Sequence, residues 1–236
     1  MNLFKNRFIA HRGLHKSIII PENSIQAFKN AMGKNYAIEF DINITIDNQI
    51  VIFHDDDLNR LCNKKERIEE VTYDFLKDLK LYESDEKIPL LKELLVEISG
   101  KILLVIEIKK HKNIGILENK LVDLLENYKG KYLICSFEKD ILFWFKKNKP
   151  NLKRGLIFES NPKKFEKYNK TLFLYKYYKS RADFISLDYK LLDSSIYDFC
   201  VKNSLDLITW TIRNKENFEK VKEKVDAVIF ESLFKL

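Results

Sequence analysis

No uninterrupted apolar run in this chain exceeds five residues; the longest are Ile102–Ile106 and Ile141–Phe145. A membrane-spanning helix needs roughly 18 or more, so no transmembrane segment is expected. Glycine and proline are scarce, at 6 and 4 residues, which excludes long flexible or proline-rich linkers. The N-terminal MNLFKNRFIAHRG has neither an apolar h-region nor a small-residue cleavage site, and no signal peptide is expected. The three cysteines, Cys62, Cys135 and Cys200, show no metal-ligand spacing. A disulfide scaffold is thereby excluded, and reduced, mostly buried thiols in a cytoplasmic protein are expected. No repeat with a period of 20–50 residues is visible.

What remains is an ordinary globular balance, 45% apolar and 33% charged over 236 residues, with a net charge of +7. The length suits one large domain, 1–236. A modest positive excess favours anionic substrates and surfaces, but it falls short of a nucleic-acid footprint, and no nucleic-acid partner is expected. The sequence is silent on oligomeric state.

Short β-rich runs alternate with helical patterns. Nine candidate strands are Arg7–Ala10, Ala37–Asp41, Ile50–His54, Ile102–Ile108, Tyr132–Cys135, Gly155–Phe158, Asp183–Leu187, Leu207–Thr211 and Ala227–Phe230. Most are continuous apolar runs, the signature of strands buried on both faces of a parallel sheet. Between them, Asn23 is placed to cap a helix bearing Ile25, Phe28 and Met32. A wide stripe runs from Ile116 to Tyr128, and Pro150 stops the helix after Cys135. This alternation predicts an α/β fold, a single (β/α)8 barrel, with one of the nine strands spurious or outside the ring. A doubly wound open sheet is the competitor, weakened by the lack of a G-x-G-x-x-G after the first strand. The polar stretch Cys62–Lys101 reads as a small insertion after the third strand, about 56–101 with its flank.

Barrel enzymes gather their chemistry at the C-terminal ends of the strands, and here those ends are crowded with ionisable residues. They carry His11-Arg12-Gly13, Glu39 and Asp41, His54-Asp55, and Glu107 and Lys109. Residues two apart on a strand share a face, so Glu39 and Asp41 converge. Burying two carboxylates costs several kcal/mol each unless something neutralises them. One divalent cation, Mg2+ or Ca2+, would do so with Glu107 as third ligand; pairing with Arg12 and Lys109 as a structural ion network is the alternative. The link from Asp41 to Ile50 is too short for a crossover helix. A hairpin centred near residue 48 would set Asp41 opposite Asp55; an extended return would still bring His54 beside Asp41. Two histidines beside carboxylates and cations suit phosphodiester cleavage, one accepting and one donating a proton. Arg12 and Lys109 would hold the phosphate.

These residues resemble the glycerophosphodiester phosphodiesterase family in an ordered set: HRG at 11–13, PENS at 21–24, EFD at 39–41, HD at 54–55 and EIK at 107–109. Weaker echoes are Leu58-Asn59-Arg60, Ile88-Pro89 and Trp210-Thr211. The resemblance implies a TIM barrel with a subdomain inserted after the third strand. It implies metal-dependent hydrolysis of glycerophosphodiesters to sn-glycerol 3-phosphate and an alcohol. By motif position, His11 and His54 would be the acid/base pair and Glu39, Asp41 and Glu107 the metal ligands. Arg12 and Lys109 would contact phosphate, Glu22, Asn23 and Asp55 would order the site, and Trp210 would wall the pocket. Two departures, Asn63–Arg67 in a loop where glycines are usual and Phe230-Glu231-Ser232 in place of a Thr-Asp pair followed by Pro, bear on the leaving-group side. The alternatives are a lysophospholipase D- or phospholipase-like barrel releasing a cyclic phosphate, and a catalytically silent barrel that binds phosphodiesters. Finally, residues 163–181 combine seven Lys or Arg with six aromatics. That composition fits a transient membrane-surface contact, a single-stranded nucleic-acid platform or a plain solvated helix face.

Overall fold

The computed structural model describes Phe4 and residues 8–232; Arg7, the first residue of the first candidate strand, lies outside the described residues, as do residues 1–3, 5 and 6 of the N-terminal stretch read for a signal peptide. All nine candidate strands form, as β1 (Phe8–His11), β2 (Ala37–Ile44), β3 (Ile50–Ile52), β4 (Leu104–Ile108), β5 (Tyr132–Ser136), β6 (Arg154–Phe158), β7 (Phe184–Asp188), β8 (Asp206–Ile212) and β9 (Ala227–Phe230). Their order in the sheet is β1-β9-β8-β7-β6-β5-β4-β2-β3, and a β1–β2 pairing closes it. The result is a TIM barrel: a closed parallel ring of eight strands with helices between them, and β3 bonded outside the ring. Ring closure sets aside the open doubly wound sheet.

By internal contacts the chain divides into two compact units, Ala10–Tyr132 and Met1–Ile9 with Leu133–Leu236. In the first, α1 (Ile25–Gly33) buries Ala27, Phe28 and Ala31. Its N-cap is Ser24, whose hydroxyl accepts from the Ala27 amide. Asn23, expected as the cap, instead turns with φ 58° and sends its side chain elsewhere. The hairpin is centred one residue earlier than expected: Ile44 pairs with Ile50 and Ile42 with Ile52, so Asp41 faces Phe53, whose amide donates to the Asp41 carbonyl. Thr45 and Asp47 set this turn, the Thr45 hydroxyl accepting from the Gln49 amide at 2.8 Å.

The inserted segment carries α2 (Asn59–Cys62), α3 (Tyr73–Leu76) and then α4 (Leu91–Ile98). It packs a small core from residues such as Leu58, Leu61, Ile68, Leu76 and Ile88, together with Phe53 just before it. Leu58 and Ile68 each stand between two polar residues, and Leu61, Leu76 and Ile88 have at most one apolar neighbour, which is why the stretch reads as polar. α4 is more regular: it buries Leu91, Leu94, Leu95 and Ile98 and packs against α1 and β3. The unit closes with α5 (Ile116–Glu126), which buries Leu117, Glu118, Leu121 and Leu125.

The second unit alternates α6 (Lys139–Asn148), α7 (Asn169–Ser180), α8 (Ser195–Lys202) and α9 (Lys215–Val221) with β6 to β9, which run parallel in sequence order. Here Gly155 sits across from Phe184, and any Cβ on it would lie 2.2 Å from the Phe184 ring. Arg154, nearly fully buried, donates to the carbonyls of Pro150, Leu152 and Arg181 and pairs with Asp183 at 2.8 Å. Buried charge is tolerated there because every guanidinium edge has a partner.

Candidate active site

β2 is buried along its whole length, so any charge on it needs an internal partner. Asp41 lies directly across from Glu107 in the parallel β2–β4 register, and Glu39 precedes it on the same face. The carboxylates of Glu39, Asp41 and Glu107 can each bring one oxygen within 4.8 Å of the other two, and all three residues are buried. Burial, followed by repulsion from Asp41 and Glu107, pushes the Glu39 carboxyl well above its ordinary range. Burial, and then Asp41, also raises Glu107. Asp41 moves the other way: burial opposes ionisation, but Lys109, Arg12 and His54 outweigh it and hold Asp41 low.

Both cations read from the sequence are in place. Lys109 Nζ donates to Glu107 Oε1 at 2.6 Å and lies 3.4 Å from Asp41 Oδ1. Arg12 Nε lies 3.3 Å from Asp41 Oδ2, and Arg12 Nη1 donates to Glu22 Oε1 at 2.6 Å. Burial works against the Lys109 charge, yet Asp41 and Glu107 raise its affinity for the proton. Three carboxylates therefore face two cations, one of which is also claimed by Glu22. Asp41 Oδ1 is buried without a hydrogen bond. A buried all-oxygen set with surplus negative charge and an unsatisfied lone pair is the donor chemistry of a hard divalent cation, and the residues present fit one.

The turn after β1 delivers Arg12. Arg12 and Gly13 both take positive φ, 53° and 81°. The Arg12 amide donates to Glu39 Oε2 at 3.1 Å, and its carbonyl accepts from the Asn23 amide. Gly13 has no substitute here, since a Cβ would meet the Ala27 backbone at 2.8 Å. Asn23 Nδ2 donates to Asp41 Oδ2 at 2.9 Å. His11 places Nε2 4.0 Å from Glu39 Oε2.

His54 emerges just past the β2–β3 hairpin. Its Nδ1 lies 2.6 Å from Asp55 Oδ1. Burial alone would raise Asp55, but hydrogen bonds from His54 and Arg60 hold it well below the usual carboxylate range. An ionised Asp55 can only accept, so in this contact His54 carries a proton on Nδ1. The loop after this pair keeps its turn without glycine, because Asn63 adopts φ 51°. Ten of the eleven sequence-chosen residues thus fall in the Ala10–Tyr132 unit. Trp210 belongs to the other unit, where its indole donates to the Ser186 carbonyl at 3.1 Å and meets Phe137 edge-on.

Sequence reasoning assigned no role to Arg60 or to the buried pair His111–Glu118 behind Lys109. His111 Nδ1 lies 2.9 Å from the Lys109 carbonyl oxygen and its Nε2 3.1 Å from Glu118 Oε1. Glu118 hides inside an apolar helical stripe as an ordinary charged residue; Arg60 sat in a Leu-Asn-Arg echo that carried no chemistry by itself.

The model of the Glycerophosphoryl diester phosphodiesterase family matches residues 11–233. The chain belongs to this family. A glycerophosphodiester phosphodiesterase of Caldanaerobacter subterraneus subsp. tengcongensis is 33% identical to this family member, over 95% of this chain and 93% of that one. Among solved structures, a phosphodiesterase of Oleispira antarctica in complex with the product sn-glycerol-3-phosphate aligns with TM-score 0.82 at 22% identity, covering 95% and 92% of the two chains. A glycerophosphodiester phosphodiesterase of Parabacteroides distasonis gives 0.78 at 24% identity, over 95% and 92%. At those identities the likeness is one of fold, and it is the same barrel.

Proposed function

We propose that this member of the family hydrolyses glycerophosphodiesters to sn-glycerol 3-phosphate and an alcohol, with a divalent cation and two-histidine acid/base catalysis. The observation that carries the reading is the convergence of Glu39, Asp41 and Glu107 beside Arg12, Lys109 and the His54–Asp55 dyad. The names of the relatives support the reaction class.

Glu39, Asp41 and Glu107 would hold Mg2+ or Ca2+, which when bound supplies a fixed positive charge for the non-bridging phosphate oxygens. This chain's own groups do the rest. Arg12 offers its guanidinium edge and Lys109 its ammonium to the phosphate anion. His54 Nε2, freed by the Nδ1–Asp55 bond, and His11 move the two protons that hydrolysis requires: one leaves the attacking water as its oxygen bonds to phosphorus, and one reaches the alkoxide released when the phosphorus–oxygen bond to the alcohol breaks. Glu22 and Asn23 order Arg12 and Asp41. Trp210 remains the proposed aromatic wall on its motif position.

The same reading treats 1–236 as one functional domain, and its three free cysteines suit a reducing cytoplasm. Among the described residues no helix is long and apolar enough to cross a membrane. Transient contact with an anionic membrane surface is proposed for residues 163–181, where Phe165, Tyr168, Tyr175 and Tyr178 are exposed among lysines.

The test is release of glycerol 3-phosphate from glycerophosphocholine and glycerophosphoethanolamine with Mg2+, Ca2+ or EDTA. Release abolished by EDTA is expected. No release with any metal, followed by turnover of lysophospholipids or appearance of a cyclic phosphate, would replace this reading with the phospholipase-like one. Binding without any turnover would leave a silent barrel.

A further inference from the structure

One side chain of the inserted segment reaches both halves of the site. Arg60, on α2, donates through Nε to Asp55 Oδ2 at 2.7 Å and through Nη2 to Asp55 Oδ1 at 3.0 Å. Its other edge donates through Nη1 to Glu22 Oε2 at 2.9 Å and through Nη2 to Glu22 Oε1 at 2.8 Å. Asp55 in turn holds His54 Nδ1, and Glu22 holds Arg12 Nη1. A continuous chain therefore runs His54–Asp55–Arg60–Glu22–Arg12.

We propose that Arg60 is a positioning residue that fixes the tautomer of His54 and the pose of Arg12 together, making the insertion part of the catalytic apparatus. The planar guanidinium is the reason one residue does both. It presents two forks at a fixed angle, so two carboxylates docked on it cannot rotate independently. With both Asp55 oxygens engaged by Arg60, the carboxylate plane is set and its Oδ1 stays aimed at His54 Nδ1. His54 is then held as the Nδ1–H form with Nε2 open. On the other edge, Glu22 is locked in the position from which it orients Arg12. A lysine supplies charge but no fork and would fix neither carboxylate.

The competing reading is a partly exposed ion pair that merely secures α2, a type of contact worth little to stability. The two differ in what moves when Arg60 is removed. The inference rests on His54 being an acid/base group, so the experiment needs a readout independent of turnover. With only four histidines in the chain, long-range 15N spectra of the imidazoles resolve the His54 tautomer directly.

The experiment compares wild type, R60A and R60K by steady-state kinetics on glycerophosphocholine and by those spectra. Expected is a fall in kcat of about 10–100-fold in R60A, the range typical of groups that orient a reactive side chain, with a smaller change in KM. Added guanidinium restores part of the rate to R60A, and R60K does not regain wild-type kcat. In wild type the His54 spectrum shows Nδ1–H; in R60A it shifts toward a mixture. Wild-type kcat in R60A would overturn the proposal. So would a rate loss with the His54 tautomer unchanged and no guanidinium rescue, since that pattern belongs to α2 packing. Should R60A fail to fold by circular dichroism, R60Q carries the same comparison. If wild type turns over neither glycerophosphodiester, the spectra alone still decide the Arg60 role, while the reaction assignment falls separately.

Discussion

At the scale of single residues, the site is a set of groups whose charges are set by neighbours. His54 is the clearest: bonded to an ionised Asp55 on one nitrogen, it has only the other to offer. On the proposed mechanism, replacing His54 or His11 by alanine removes a proton-transfer group, which is worth typically 10²–10⁴-fold in rate. H54A and H11A should therefore lose turnover of glycerophosphocholine by about that factor and keep the wild-type circular dichroism. Near-normal kcat in either would end its assignment. His111 makes a second prediction, this one on stability. Burial lowers its proton affinity, but the bond to Glu118, the Lys109 carbonyl and the Glu69 charge outweigh that and raise its pKa above 6.5. The groups facing it are Glu118 on α5, Glu69 in the Ile68–Glu70 turn and the neighbouring Lys112, itself paired to Glu69 and Glu70. Because the folded pKa is raised, the imidazolium stabilises the fold fully below about pH 6.5, and the contribution fades as pH climbs through the folded value. Urea midpoints of wild type and H111Q should thus differ most at pH 5.5 and converge at alkaline pH. A difference that is the same across pH would show that His111 is held neutral.

At the scale of elements, turns rather than helices aim the chemistry. The β1–α1 turn carries Arg12 at φ 53° between His11 and Gly13, a conformation most residues disfavour. Its compensation is visible: the Arg12 amide satisfies Glu39 and its carbonyl satisfies Asn23. G13A would force a Cβ to within 2.8 Å of the Ala27 backbone at φ 81°, costing about 1–3 kcal/mol through strain and displacement. Chemical denaturation should report that loss, with activity falling because Arg12 moves with the turn. Wild-type stability in G13A would mean that α1 gives way freely. The β2–β3 hairpin acts similarly: its centre at Asp47 decides that Asp41 meets Phe53 and that His54 leaves the ladder at the level of the carboxylates.

At the scale of the whole molecule, the family match extends over residues 11–233 and so takes in both the barrel and the inserted segment of this chain. The chain carries a charge of +7 overall, with an exposed aromatic and basic surface on Lys163–Tyr168 and α7. An interfacial contact of that kind combines ring insertion with attraction to anionic lipid, and the second part is screened by salt. Sedimentation with phosphatidylglycerol vesicles should therefore fall steeply between 50 and 300 mM NaCl, concentrations bracketing about one Debye length of 8–10 Å. No sedimentation at low salt, or binding indifferent to salt, would retire the membrane contact.

The sequence by itself determined nine strands in a barrel pattern, without saying which lies outside the ring, the candidate residues His11, Glu39, Asp41, His54, Glu107 and Lys109 on or just after those strands, and the family. These rest on local signals, an apolar run with a charged end and a two-residue alternation, that tertiary contacts do not need to complete. Only the tertiary structure decided that Ser24 rather than Asn23 caps α1, that the hairpin turns at Asp47, and that Leu58, Ile68 and Leu76 make a core of a seemingly polar insertion. It alone joined Arg60 to Glu22, 38 residues apart, and His111 to Glu118 inside an apolar stripe. The physical reason is common to all of them: which partner satisfies a buried or bent polar group depends on what folding brings within about 3 Å, and sequence spacing does not encode that distance.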